Sequence, residues 1–244
     1  MWFEGLVFVV SIFAGSVAAL SGFGIGSLLT PLFAAQYPLK VAVAAVAIPH
    51  LIATTVRFWM LRAHVDRKLL LGFGLSSAAG GLAGALLYRW ASSPALTIVF
   101  AAALLLAAGL DLTGAARRIR LHGAAAWIAG AASGLLGGMV GNQGGIRSAA
   151  LLGFETTPRS FVATATAVAV IVDLARMPVY MVNQGAALGE LLPLIALAAV
   201  GALIGTFAGK SLLTRMPERV YRKSVSVLIL ALGVYMMVRG ISAL

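Results

Sequence analysis

The sequence predicts an all-α polytopic membrane protein of two inverted repeats, each a glycine-broken, re-entrant helical hairpin followed by three transmembrane helices. Composition is the first reason. Of 244 residues, 61% are apolar and 10% charged, and mean hydropathy is +1.02, whereas a soluble domain carries about 25% charged residues. Secondly, several runs approach or exceed the roughly 20 apolar residues that cross a bilayer as helix, and their Ala/Gly/Leu-rich composition lacks a barrel strand's alternation. Thirdly, one glycine-rich break occurs twice, as Gly22-Phe23-Gly24-Ile25-Gly26 and Gly141-Asn142-Gln143-Gly144-Gly145. Gly22 and Gly141, Gly26 and Gly145, and farther on Arg57 and Arg176 all stand 119 positions apart, which marks a duplicated unit.

In chain order, an apolar run over residues 5–20 reaches the first break, a helix resumes near Ser27, and Gln36-Tyr37-Pro38 turns the chain. A span over 39–60, interrupted at Pro49-His50, ends in the basic loop 62–68. Residues 69–88 form a span with a small-residue face (Gly72, Gly74, Gly80, Gly81, Gly84), which permits close helix packing. A turn and a span over 95–112 complete an N-terminal repeat (1–112). The basic stretch 113–122 reads as a linker, and a C-terminal repeat (123–244) follows within one integrated membrane domain. Its order matches: a run over 123–140, the second break, a helix from Ile146, a turn at Pro158, a span over 160–182, a loop over 183–190 without Lys or Arg, a span over 191–209 with Gly201, Gly205 and Gly209, and a closing span over 224–241. The small-residue faces suit packing within the chain or between subunits of a homo-oligomer.

The formal net charge of +11 is gathered in short segments between apolar runs, which is a topology signal and not a nucleic-acid footprint. If each break is the tip of a hairpin returning to its own side, loops 62–68, 117–120 and 210–223 share one face, the cytoplasmic one, and loop 183–190 and both termini face the other. That is the arrangement the positive-inside rule selects, with the halves inverted. The apolar N-terminus lacks a basic leader and reads as a retained span.

Unwound backbone at membrane depth requires a protein-lined or watery cavity. The helix restarting after each break aims its first N–H groups and positive dipole end into that cavity, a geometry that binds anions. The predicted anion-binding set is Gly22, Gly24, Gly26 and Ser27 at the first break, Gly141, Asn142, Gln143, Gly144, Gly145 and Arg147 at the second, and the hydroxyls of Thr54, Thr55, Thr164 and Thr166. Arg147 in the first helical turn suits bidentate capture of an oxyanion. The plainer alternative makes the glycines packing residues and Arg147 an interface residue. His50, Arg57, Asp173 and Arg176 are candidates for gating or coupling, with H⁺ or Na⁺ as the coupling ion; against this, Asp173 and Arg176, one helical turn apart, can simply neutralise each other, and a lone intramembrane histidine is commonly structural.

Enzyme signatures fail. Gly22-Phe23-Gly24-Ile25-Gly26 has no acidic residue about twenty positions on, position 204 is Ile where a P-loop ending at Gly209-Lys210-Ser211 needs Gly, and no HExxH, GxSxG or metal-spaced His/carboxylate cluster occurs. There is no cysteine, so no disulfide, thiolate metal site or Fe–S cluster; no catalytic residue, metal or cofactor is predicted. An anion-selective channel remains an alternative to a carrier.

The paired breaks, each followed by a short apolar piece and a turn into a Thr-bearing span, with small-residue helices closing each half, resemble the TauE/SafE family of sulfite and organosulfonate exporters. The resemblance covers nearly the whole chain. It implies a carrier in the prokaryotic inner membrane moving a small sulfur-containing anion, such as sulfite or sulfoacetate, outward and coupled to an ion gradient. Pro31 matches the proline that follows the family's glycine motif. Ala150 stands at the corresponding place in the second half, and Asn142, Gln143 and Arg147 make that copy more polar than the family pattern, a departure that bears on the substrate.

Overall fold

The structure, a computed structural model, describes residues 2–88, 93–115, 124–141, 147, 151, 157–212 and 218–243. Helices make up its secondary structure: α1 (Trp2–Ser21), α2 (Ile25–Ala34), α3 (Leu39–Leu61), a 3₁₀ turn (Arg62–His64), α4 (Arg67–Leu69) running through a π-turn (Leu70–Gly74) into α5 (Leu75–Tyr88), α6 (Ser93–Leu112), α7 (Ala124–Val140), α8 (Pro158–Glu190), α9 (Leu192–Leu212) and α10 (Glu218–Ile241). Among the described residues five helices are long and apolar enough to cross a membrane, within α1, α3, α4–α5, α8 and α9. In hydrocarbon a helix satisfies its own backbone, which is why apolar runs of this length take that form. Exposed Val182, Ile128 and Leu71 suit a lipid-facing surface.

Helices α3 and α8 are the inner pair: in an apolar stretch of 18 residues in each, 61% and 56% are buried, against 39% in α1. Small side chains allow this. Ala42, Ala44, Ala45 and Ala47 on α3 and Ala163, Ala165, Ala167 and Ala169 on α8 are all buried, so neighbours approach from several directions. The two run antiparallel, since His50 meets Asp173 and Arg57 meets Thr166.

Two further helix pairs join the N-terminal and C-terminal parts of the chain. α1 packs on α9, and α5 on α7, through glycines that admit backbone to backbone. A Cβ on Gly205 would collide with the Ile12 carbonyl, and one on Gly80 with that of Ala131; Gly209 meets Ser16 as Gly84 meets Leu135, and Gly15 meets Ala202 as Gly134 meets Ser77. In each match the α1 and α7 partners are 119 positions apart and the α5 and α9 partners 125 apart. These predicted small-residue faces therefore pack within the chain.

The N-terminus of α1 lies beside the turn after α2: Phe3 makes edge contacts with Phe33 at 6.5 Å and Tyr37 at 6.2 Å between ring centroids. Trp2, Phe3, Gln36, Tyr37, Glu190 and Pro193 line one cleft at this end. At the other end the Asp66 N–H donates to the Thr164 hydroxyl at 2.9 Å, while the Asp66 carboxylate caps α4.

Three expectations are corrected. The predicted loop 183–190 is helix, the last turns of α8. The Asn183 amide donates back to the Val179 carbonyl at 2.8 Å and Leu188 is buried, so chemistry that elsewhere breaks a helix is absorbed by its own preceding turn. The span at Pro49-His50 is uninterrupted: α3 continues through Pro49, buried among packed neighbours, as membrane helices permit. The helix after the first break begins at Ile25, two residues before Ser27, because Gly24 as N-cap takes φ 135°, which turns the chain at once.

Candidate functional site

The two breaks meet. A Cβ on Gly26 would lie 2.5 Å from the Gly141 carbonyl oxygen, so only glycine admits this approach. Gly22 and Gly141 share left-handed conformations, φ 76° and 73°. Gly22 rests against Val162 and Ala165 of α8, and Gly141 against Val43 of α3 and the Thr30 hydroxyl. Val43 and Val162 are themselves 119 positions apart. Asn142, Gln143, Gly144 and Gly145 lie outside the described residues, and Arg147 is helical.

Beside the breaks, the α3/α8 crossing buries a charged cluster. Arg57, Arg147, Asp173, Arg176 and His50 are all buried. Asp173 organises it. Its Oδ2 lies 2.5 Å from Nδ1 of His50, and its Oδ1 accepts from Arg176 Nε at 3.0 Å and Nη2 at 2.7 Å. Arg176 Nη1 donates to the Gly137 carbonyl and the Tyr180 hydroxyl to that of Gly138, which ties α8 to the last turn of α7 just before the second break. Arg176 and Asp173 therefore neutralise each other, as their spacing allows.

Arg57 and Arg147 are placed differently. Arg57 Nε donates to the Thr166 hydroxyl at 2.9 Å, and Arg147 Nη1 approaches the Ala165 carbonyl at 3.5 Å, so both guanidiniums reach one turn of α8. Their other donors find less. Arg57 Nη1 and Arg147 Nε and Nη2 are buried without a hydrogen-bond partner among the described residues, as is the Thr30 hydroxyl. Among the described residues, three buried guanidiniums stand against one buried carboxylate. With neutral His50 the site carries two positive charges in excess, costly in an apolar interior unless an anion completes it.

The other predicted residues divide. Thr166 joins the cluster. Thr54, a turn beyond His50 and buried, spends its hydroxyl on the His50 and Leu51 carbonyls at 2.6 and 3.1 Å. Thr164 accepts the Asp66 N–H and secures the 62–66 turn. Thr55 is exposed, off the cluster's face. Ser27 is buried in the first turn of α2. Sequence reasoning missed Thr30, Tyr180 and the Gly137 and Gly138 carbonyls. Tyr180 carried a readable signal, since it lies one helical turn beyond Arg176 on the face that carries Asp173; an arginine 5.5 Å from its ring centroid now packs there.

The fold is that of a multi-pass helical membrane protein with a buried cluster of arginines where α3 and α8 cross. Residues 7–236 match the family model of the sulfite exporter TauE/SafE, nearly the whole chain, and the chain belongs to that family of membrane sulfite and anion exporters. No curated protein and no solved structure matches it at a significant level.

Proposed function

We propose that the protein is a secondary carrier that exports a small sulfur-containing anion, such as sulfite, sulfoacetate or another organosulfonate, from a prokaryotic cell. The observation that carries this reading is the set of three unpartnered guanidinium nitrogens, Nη1 of Arg57 and Nε and Nη2 of Arg147. Sulfite and sulfonates present several charged oxygens on a compact head, and paired arginines are suited to such a group. The anion sits at the α3/α8 crossing, with Thr166 holding Arg57 in place and the first break, through Gly22 and Gly24 to Gly26 and Ser27, closing one side. Arg147 completes the site, and Asn142 and Gln143, close to it in sequence, are proposed as further donors.

The chain is read as an N-terminal repeat (1–112), a linker (113–122) and an inverted C-terminal repeat (123–244), rocking against each other to alternate access. The exchange of equivalent contacts at Gly205/Ile12 and Gly80/Ala131, and the return of α2 to the start of α1 through Phe3 and Tyr37, support re-entrant hairpins in such a pair. The protein lies in the inner (plasma) membrane with basic segments 62–68, 117–120 and 210–223 in the cytoplasm, as the positive-inside rule requires. Arg57 and Arg176, equivalent under the 119-residue offset, gate the site, and transport is ion-coupled.

Reconstituted vesicles loaded with unlabelled sulfoacetate test this. A carrier draws labelled sulfoacetate inward by exchange, saturably and without unitary current. Unsaturable flux with single-channel current would instead make the hairpins the filter of an anion channel.

A further inference from the structure

We infer that the coupling ion is a proton and that His50 binds it. This rests on the proposed anion site and adds to it the group that links anion binding to an ion gradient. The first step is the tautomer. Asp173 Oδ2 faces Nδ1 of His50 at 2.5 Å, and a carboxylate oxygen only accepts, so Nδ1 carries its hydrogen and donates it. The lone pair of neutral His50 then lies on Nε2. A proton from water added there makes an imidazolium that keeps the same bond to Asp173, with no rearrangement of the pair.

The same geometry argues against Na⁺. Both Asp173 oxygens already accept from N–H donors, Oδ1 from Arg176 and Oδ2 from His50. No other carboxylate is buried among the described residues. A sodium ion would have to displace a guanidinium or an imidazole and settle among three arginines, whereas a proton needs one lone pair. His50 is also the cluster member with some access, its side chain 11% exposed against 0% for Asp173 and 2% for Arg176.

The charged and titratable groups around His50 decide what its proton does. Arg57 lies two turns along its own helix, α8 presents Asp173, Arg176 and Tyr180, and the segment after the second break presents Arg147. Neither α2 nor the α9 span Leu192–Gly209, both packed on α3, carries a titratable residue, and α6 carries only Asp111 in its last turn. His50 thus lies inside a site already in positive excess among the described residues. Without an anion, a further positive charge is opposed by Arg57 and Arg147; with a bound anion the opposition is relieved. Anion and proton therefore bind together, and by linkage each strengthens the other by the same factor.

The test is anion affinity against pH on the purified full chain, using sulfate and sulfoacetate, both fully ionised from about pH 5.5 to about pH 8, where an imidazole titrates. The Kd should fall about five- to tenfold or more toward the acid end, and replacing Na⁺ by choline should not change it. His50→Gln should vary less than about twofold over the same range. Uptake of protons by weakly buffered wild-type protein on adding sulfoacetate gives the same answer without a variant. Binding that is strong but independent of pH, with no proton taken up, or a pH dependence that survives in His50→Gln, would overturn the assignment while leaving the anion site standing. Absence of any anion binding by the wild type at every pH would remove the anion site, and this coupling with it.

Discussion

Arg57 and Arg176 stand 119 positions apart, yet among the described residues Arg176 alone of the two has a carboxylate partner: Asp173 sits three residues before it, and the position three before Arg57 holds Thr54. Both arginines are buried, and among the described residues one of them lacks a carboxylate. Thr54 bonds to its own helix, and Arg57 Nη1 has no hydrogen-bond partner among the described residues. Arg57→Ala should weaken anion binding by about 2–5 kcal/mol, the cost of removing one partner of a desolvated charge pair. Without anion, Arg57→Met should melt no lower than wild type, since an unpaired buried charge costs more than an apolar side chain. A marked loss of anion-free stability in Arg57→Met would show that Arg57 is structural.

Asp173→Asn should have the opposite character. It leaves Arg176 buried without its counter-charge and His50 without its acceptor, so it should destabilise the anion-free protein by about 3–5 kcal/mol. Detergent melting of D173N, R176M and the double variant reads the coupling. Additive losses would mean that the pair is not the unit described.

At several glycines the helices approach backbone to backbone. Gly26→Val, at the meeting of the breaks, and Gly205→Leu, against α1, should each cost about 1–3 kcal/mol or abolish folding, because the atoms they meet are carbonyls that cannot swing aside. Gly5→Leu, where nothing lies within 4 Å, should express and melt like wild type. Equal yields for all three would contradict the packing.

Because the chain has no cysteine, single cysteines report topology. His64 is exposed at one end of the molecule, and Gly189 is exposed with open space beside it near the other. On intact cells a membrane-impermeant maleimide should label Gly189→Cys, and should label His64→Cys only after permeabilisation. The reverse pattern would invert the orientation, and labelling of both from outside would remove the inverted-repeat reading.

The order of the helices and the first break, Gly22 to Gly26, were legible because apolar run length and glycine clusters are local signals. Arg147, Arg57, Asp173 and Arg176 stood out for a related reason: charge in a span is conspicuous. Their grouping was not legible. That His50 would meet Asp173 across 123 positions follows from α3 and α8 crossing antiparallel, a tertiary fact. Thr30 looked like an ordinary residue of a short helix; only the approach of Gly141 makes it notable. The 183–190 stretch misled because Asn, Gln and two glycines form the composition of a loop, while the equivalent chain in the first half, residues 62–66, includes a true turn. Its extra residues extend α8 instead.

The most direct test of the anion site is the melting temperature of purified protein titrated with sulfite, sulfoacetate, taurine, thiosulfate, sulfate and acetate, in wild type and in Arg147→Ala. A ligand bound only by the folded state raises the melting temperature with its excess over Kd. The account predicts a rise with sulfite or a sulfonate in the wild type and its loss in Arg147→Ala. No shift with any of these anions, or an undiminished shift in the variant, would contradict it.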